Sequence, residues 1–424
     1  MSLTAKSDYK QSEIGEIPEA WDCLTVQQLI DKGAISGHLD GNHGELYPRS
    51  HEFKNFGVPY IGANNFYSGQ VDLQGCKFLS EERAVLFKKG VAKDGDILFA
   101  HNATVGPVAK LKTSLKYVIL STTATYFRVN GTLLNNDYLM HYMRSELFSS
   151  QYSAIMSQST RNQVPITAQR KLFVVVPPIE EQSKIASSLS VVDALISSLD
   201  QLIAKKHDIQ QATMQQLLTG QRRLPGFAGE WKTRELGELI IEISDGGTPP
   251  TADPSNFGGK IQWVVIEDIQ AEIKSTRSTL TEKGLRACAS KLWPAGTLII
   301  STGATIGEVG VLLVDAATKQ GICGIIFNEA VTTTPFMKFW FIHNKNLLLS
   351  KAQGSSIKEV RAPTLVKLCV RLPEVDEQIE IAATLSDIDV EISALQARRD
   401  KARQIKKGMM QELLSGRIRL GRGI

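Results

Sequence analysis

Apolar residues recur at steps of three and four along two well-separated stretches of the chain. In the first they fall at Ile185, Leu189, Val192, Ile196, Leu199 and Ile203, and in the second at Ile381, Leu385, Ile388, Ile392 and Leu395. Such alternation gathers these side chains on one face of an α-helix, as in the seam of a coiled coil. Pro177-Pro178 and Pro373 stand at the starts, where a missing N–H costs nothing, and acidic residues follow in the first turn. Gly220 and Gly416 lie where a C-terminal cap is expected. The pattern predicts a long helix over 179–220 and a second over 374–424. The seam loosens where Lys206, Gln210, Arg399 and Ala402 occupy its positions. Surface helices of a larger bundle would show a similar spacing.

The two stretches are copies of each other. From Val176, VPPIEEQSKIASSLSVVDALISSLDQLIAKKHDIQQATMQQLLTGQRRL recurs from Leu372 as LPEVDEQIEIAATLSDIDVEISALQARRDKARQIKKGMMQELLSGRIRL, shifted by 196 positions without a gap. Gln182 falls on Gln378, Asp193 on Asp389, Met214 on Met410 and Gly220 on Gly416. More faintly, Trp21 echoes Trp231, and GDILFAHNATVG (Gly95 to Gly106) echoes GTLIISTGATIG (Gly296 to Gly307). Between these landmarks the copies diverge. Short β-rich runs such as DILFAHN, FVVVPP, TLIISTG and KLCVRLP, with turn-rich loops between them, predict mixed globules over 1–178 and 221–373.

Order and length constrain the geometry. A helix of about 40 residues runs roughly 60 Å, and only about ten residues separate the first helix from Trp231. If the helices pair along their seams they must run antiparallel, with one globule at each end. The expected fold is α+β: two mixed α/β domains separated by two long antiparallel coiled-coil helices, in a pseudo-two-fold internal repeat.

Composition narrows the function without naming it. The 424 residues are 42% hydrophobic and 22% charged, with a net charge of +4, ordinary for a soluble globular protein. Basicity alone therefore does not argue for nucleic acid; distribution must. Cys23, Cys76, Cys288, Cys323 and Cys369 are scattered and never form CxxC, which suits a reducing cytoplasm better than a disulfide framework or a zinc site. No signal-peptide h-region and no apolar run near 18 residues are seen, so the expectation is a cytoplasmic protein with no membrane role. The stretch from Arg398 to Arg422 holds nine Lys/Arg against two acids. It reads as a solvated helix face, with phosphate or partner contact as the alternative.

Catalytic motifs are missing from the sequence. There is no GxxxxGK[ST] phosphate loop, no NPPY- or DPPY-like run for a flipped adenine and no HExxH. GATIGEVG, from Gly303, has the wrong spacing for a nucleotide loop and reads as a tight turn. A DNA-reading subunit, an enzyme with an unrecognised site and a coiled-coil scaffold all remain open on the residues alone.

The repeat, the PPxxEQxxI starts (Pro177 to Ile185, less perfectly Pro373 to Ile381), LLTGQRRLPGFAGEW (Leu217 to Trp231), GHLDGNHGELYPR (Gly37 to Arg49) and HNATVGPVA (His101 to Ala109) resemble the specificity subunit of type I restriction-modification systems. The resemblance covers almost the whole chain. It implies two target-recognition domains, and spacer helices that pair and bind modification subunits. It also implies a non-catalytic role in a complex with double-stranded DNA, two methyltransferase subunits and two motor-nuclease (restriction) subunits. Cofactors are expected only in those partners (S-adenosylmethionine, ATP and Mg), with none in this chain.

Sequence is read by Arg, Asn, Gln, Lys and Ser/Thr side chains reaching base edges. In the first globule the candidates are His38, Asn42, His43, Tyr47 and Arg49, then Asn64, Asn65, His101, Asn102 and Thr104, and finally Ser159, Thr160, Arg161, Asn162 and Gln163. In the second they are Thr248, Thr251, Ser301, Thr302, Thr305, Lys319, Gln320, Ser355, Ser356, Lys358 and Arg361. Each could instead form a turn or cap. His38, His43 and His101 could also be read as metal ligands, but lack a carboxylate or cysteine at ligand spacing. The second globule has Gly303 where the first has Asn102, and no counterpart of GHLDGNHGELYPR. Two different half-sites are the expectation.

Overall fold

A computed structural model describes residues 8–41, 46–67, 69–157, 162–303, 305–353 and 359–420. Two 40-residue helices dominate it, α1 (Ile179–Leu218) and α2 (Val375–Leu414). Gly220 and Gly416 follow them with φ of 71° and 76°, the left-handed conformation in which glycine ends a helix without steric penalty. The chain forms two compact units, residues 1–199 with 398–424 and residues 200–397. Each unit therefore holds the first half of one long helix and the second half of the other.

Within the first unit Glu181 meets Arg419 and Asp193 meets Lys406. Within the second, Lys206 meets Glu391 and Gln210 meets Asp389. Partner numbers fall along α2 as they rise along α1, so the helices run antiparallel. Ile185, Leu189, Leu199, Ile203, Ile381, Leu385 and Ile392 are buried in this seam, and Val192, Ile196, Ile388 and Leu395 are half-buried. Where the seam turns polar, Lys206 and Gln210 replace apolar contact with those bonds to Glu391 and Asp389, while Ala402 stays buried. By length and composition α1 is also apolar enough to cross a bilayer. Uncharged Ser and Ala fill many of the positions between seam residues, so the helix is poor in charge while holding no consecutive apolar run of that length.

In the first unit a six-stranded sheet contains β1 (Ile35–Asp40), β2 (Ile97–Asn102), β3 (Thr104–Lys110) and β4 (Ala124–Val129), in the order β1-β4-β2-β3 followed by the short strands Gln70–Val71 and Phe66–Tyr67. The second unit repeats the arrangement with β5 (Ile240–Asp245), β6 (Leu298–Ser301), β7 (Val309–Leu312) and β8 (Ile322–Phe327), in the order β5-β8-β6-β7 followed by Glu272–Ile273. Gly95 and Gly296 lead into β2 and β6 with φ of 84° and 91°, and their N–H groups bond Leu111 O and Leu312 O. A second sheet packs nearby in each unit, five-stranded in the first and three-stranded in the second. The helix ends belong to these cores. Ile185, Leu189, Leu413 and Leu414 join the first, and Met214, Leu217, Leu218, Ile381 and Leu385 join the second.

Each unit is tied to its helix start in the same way. Gln182 Nε2 donates to Pro177 O and Leu133 O, and its Oε1 accepts from Asn135 N–H. Gln378 Nε2 donates to Pro373 O and Val331 O, and its Oε1 accepts from Thr332 and Thr333. Both glutamines are fully buried, and all their amide hydrogen bonds go to backbone except the one from the Thr332 hydroxyl.

Candidate nucleic-acid interface

In the first unit the β2–β3 hairpin turns at Asn102, Ala103 and Thr104. Ala103 has a φ of 64°, unique among the described non-glycine residues, and such strain persists where surrounding contacts hold it. Here the contacts are to Asn162: its backbone O accepts from Ala103 N–H at 3.2 Å and its Nδ2 donates to Ala103 O at 2.8 Å. Asn102 bridges Gln163, and Val164 N–H donates to His101 O at 2.8 Å. Asn102, Thr104, Asn162 and Gln163, far apart in sequence, thus share one surface.

The second unit builds the counterpart. Thr302 N–H donates to Gly321 O, as His101 N–H donates to Thr123 O, and Val360 N–H donates to Thr302 O as Val164 N–H does to His101 O. Gly303 lies against Gly321, where a Cβ on Gly303 would come within 3.4 Å of the Gly321 Cα. Ser301, Thr305, Lys319, Gln320 and Arg361 are thereby gathered around this hairpin. Lys319, Gln320, Thr305 and Arg361 are exposed.

Several candidates are buried and so held inside the fold. His38, Asn65, His101, Ser301 and Thr302 are each at most 5% exposed. Asn65 Oδ1 accepts from Gly62 N–H, closing a turn, while its neighbour Asn64 is exposed. Ser301 Oγ accepts from Glu308 N–H and donates to Thr305 O. Thr302 Oγ1 is buried with no hydrogen-bond partner among the described residues. Tyr47, Arg49 and Thr251 are exposed and Thr248 is half-buried, none of them shown beside the hairpins. Asn42, His43, Ser159, Thr160, Arg161, Ser355, Ser356 and Lys358 lie outside the described residues.

The geometry is that of two copies of one loop platform carrying different side chains. The profile of the type I restriction modification DNA specificity domain matches residues 37–205 and again 228–403. The chain belongs to the type I restriction-modification specificity-subunit family. The inferred type I restriction enzyme MjaX specificity subunit of Methanocaldococcus jannaschii is 23% identical over 432 residues, covering 98% of this chain and 97% of that one. The MjaIX specificity subunit of the same organism is 27% identical over 38% of each chain. Among solved structures, the S subunit of a type I system from M. genitalium superposes with a TM-score of 0.60 at 12% identity, covering 97% of this chain and 98% of that one. A chain from a type I system studied for complex assembly and conformational transition gives 0.56 at 17% identity, covering 95% and 99%. At such identities the likeness is one of fold.

As a specificity subunit the chain is not one of the catalytic members of its system. Three residues around the first platform are not evident from local motifs: Thr125, Gln169 and Arg170. Gln169 is fully buried, and its Nε2 donates to Val164 O at 2.9 Å and Thr125 Oγ1 at 3.1 Å. A signal was present, because Gln169 falls on Leu365 under the shift of 196, polar where the repeat is apolar. The exposed aromatic residues Phe56 and Tyr67, 82% and 78% accessible, also escaped the sequence reading; a polar setting in sequence gives no warning of a large apolar side chain left in water.

Proposed function

We propose that the chain recognises a split, asymmetric DNA sequence, each unit reading one half, and directs adenine methyltransferase and motor-nuclease partners to it in a complex of one specificity chain with two of each. The observation that carries this reading is the pair of equivalent hairpins: His101 bonded to Thr123 and Val164 beside Asn102, Thr104, Asn162 and Gln163, and Thr302 bonded to Gly321 and Val360 beside Thr305, Lys319, Gln320 and Arg361. Their backbone bonding is alike and their exposed side chains differ, as two readers of two sequences require. Amide and guanidinium groups suit adenine and guanine edges, and hydroxyls suit either.

Partner docking is supported by α1. Val191, Leu195, Leu202 and Ile209 are 40–67% exposed along it, at spacings of four and seven that form a stripe. The equivalent positions of α2 are Asp387, Glu391, Arg398 and Ile405, so α1 alone offers a continuous apolar face of this kind. An unpartnered apolar stripe on a helix is suited to another protein's helix.

The test exchanges residues 1–178 for those of another family member and sequences the methylome of the host. One altered half-site is expected. Changes in both halves, or in neither, would refute the assignment of one half to each unit.

A further inference from the structure

Beneath the first platform runs a chain of buried polar side chains drawn from four separate segments. His38 on β1, Thr125 on β4, His101 on β2 and Gln169 in the helical turn Ile166–Gln169 are each at most 5% exposed. His38 Nε2 lies 3.2 Å from Gln169 Oε1, Gln169 Nε2 lies 3.1 Å from Thr125 Oγ1, and Thr125 Oγ1 lies 2.8 Å from His101 Nδ1.

One carbonyl orients the Gln169 amide and with it the bonds to His38 and Thr125. Val164 O, 2.9 Å from Gln169 Nε2, can only accept, which fixes that end of the amide as nitrogen. Gln169 Oε1 then faces His38, so His38 Nε2 carries a proton and donates. His38 Nδ1 is left as an acceptor, matching the Arg170 Nε–H that reaches it at 3.5 Å. Thr125 Oγ1 accepts from Gln169 and shares a second hydrogen bond with His101 Nδ1.

Gln169 and His101 also anchor part of the platform. Val164 is gripped at both ends, its N–H by His101 O and its carbonyl by Gln169, immediately after Asn162 and Gln163. His101 directly precedes the Asn102–Thr104 turn, and Thr125 pairs with Asp40 at the end of β1. Among the described residues the second unit has no such chain. Its equivalents of Gln169 and His101 under the repeat are Leu365 and Thr302, and Leu365 is fully buried.

We propose that Gln169, Thr125, His101 and His38 are positioning residues for the first unit alone, setting which bases its platform accepts without touching DNA. This rests on the split-site reading above. A buried network in which each side chain must keep its hydrogen-bond partners fixes one loop geometry, whereas an apolar contact tolerates several.

The experiment measures binding of the full chain, assembled with its methyltransferase partner, to three duplexes: the site read from the host methylome, that site altered in the half assigned to the first unit, and that site altered in the other half. Thr125→Val, which keeps shape and removes the hydroxyl, should cut discrimination against the first-half alteration about tenfold or more. Gln169→Leu, the residue the repeat itself carries, should do the same. Discrimination at the second half, non-specific affinity and the salt dependence of binding should stay as in the native chain, which partial unfolding would not allow. Thr125→Ser, which retains the hydroxyl, should read both halves normally. Native discrimination in both Thr125→Val and Gln169→Leu, equal losses at the two halves, or a folded Thr125→Ser chain blind to the first half would each overturn the proposal. A native chain indifferent to changes in either half would instead overturn the split-site reading on which it rests.

Discussion

Arg419 grips Glu181 with two parallel hydrogen bonds, Nε to Oε1 at 2.7 Å and Nη2 to Oε2 at 2.8 Å, although 238 positions separate them. The same carboxylate accepts from Trp21 Nε1 at 2.9 Å, and the guanidinium carbon sits 5.3 Å from the centre of the Trp21 ring. In the second unit Arg223 holds Glu377 and lies 5.8 Å from the ring of Trp231. Each latch joins the segment after one long helix to the first turn of the other.

Removing one member strands a carboxylate that is only 6% exposed in the first unit and 2% in the second. Loss of one partner from such a pair destabilises by about 3 kcal/mol. Arg419→Ala should therefore raise amide exchange in the first unit and leave the second unchanged, and Arg223→Ala should do the reverse. Hydrogen exchange resolved by unit checks it, and uniform loosening of both would contradict two separate latches.

Acid should weaken the fold partly through two histidines of the first unit. Burial pushes His38 down from 6.5 to about 4, with Arg170 adding to it against the Gln169 bond. Burial and then Lys406 push His141 down to about 4. Above pH 7 both are neutral whether folded or not, so they contribute no pH dependence. Between 6.5 and 4 the unfolded chain takes up protons the native one refuses, and stability falls as pH drops. From pH 7 to 4.5 each should remove about 2 kcal/mol. Urea unfolding at both pH values should show that fall shrinking by about 4 kcal/mol in a His38→Asn, His141→Gln chain. An unchanged fall would show that these imidazoles take up protons as readily in the native state as in the unfolded one.

The apolar stripe on α1 should be needed by a protein partner and not by the fold. Leu195 and Leu202 are each 40% exposed, so Leu195→Lys and Leu202→Lys should change stability by less than about 0.5 kcal/mol. Co-purification with the methyltransferase subunit should nevertheless drop sharply. Undiminished co-purification would place that partner elsewhere.

Helix length should set the gap between half-sites. Seven residues added to both helices, after Leu199 and after Ala397, keep the antiparallel register and add roughly 10 Å to each. The recognised gap should grow by about three base pairs, at about 3.4 Å each, and methylome sequencing reads it directly. An unaltered gap would mean that, if the units read two half-sites as proposed, something other than the helices spaces them.

Much of this architecture is written in the spacing of residues. Gln182 on Gln378 and Asp193 on Asp389 announce two equivalent helices, and the three-and-four rhythm from Ile185 to Ile203 gives their seam. Charge partners such as Asp193 with Lys406 were not legible, because they depend on which residues meet across the antiparallel pair. Nor was the fate of His38 and His101. Both occur in turn-rich or β-rich text where a polar residue invites a surface reading, and both are buried because Gln169 and Thr125, distant in sequence, supply their hydrogen bonds. Polarity marks a residue that needs a partner; it does not say whether that partner is a nucleic acid or another part of the chain.

The latch between Arg419 and Glu181 also gives the molecule a birth order. Every residue of the second unit is joined to the chain before Arg398, so all of them emerge ahead of those that complete the first unit. The first unit, begun earliest, waits for the last stretch of α2 and for Arg419 before its Trp21–Glu181 corner can close. The unit that is started first is thus the one finished last, and a chain released short of Arg419 would hold every residue of the second unit while the first was left ajar.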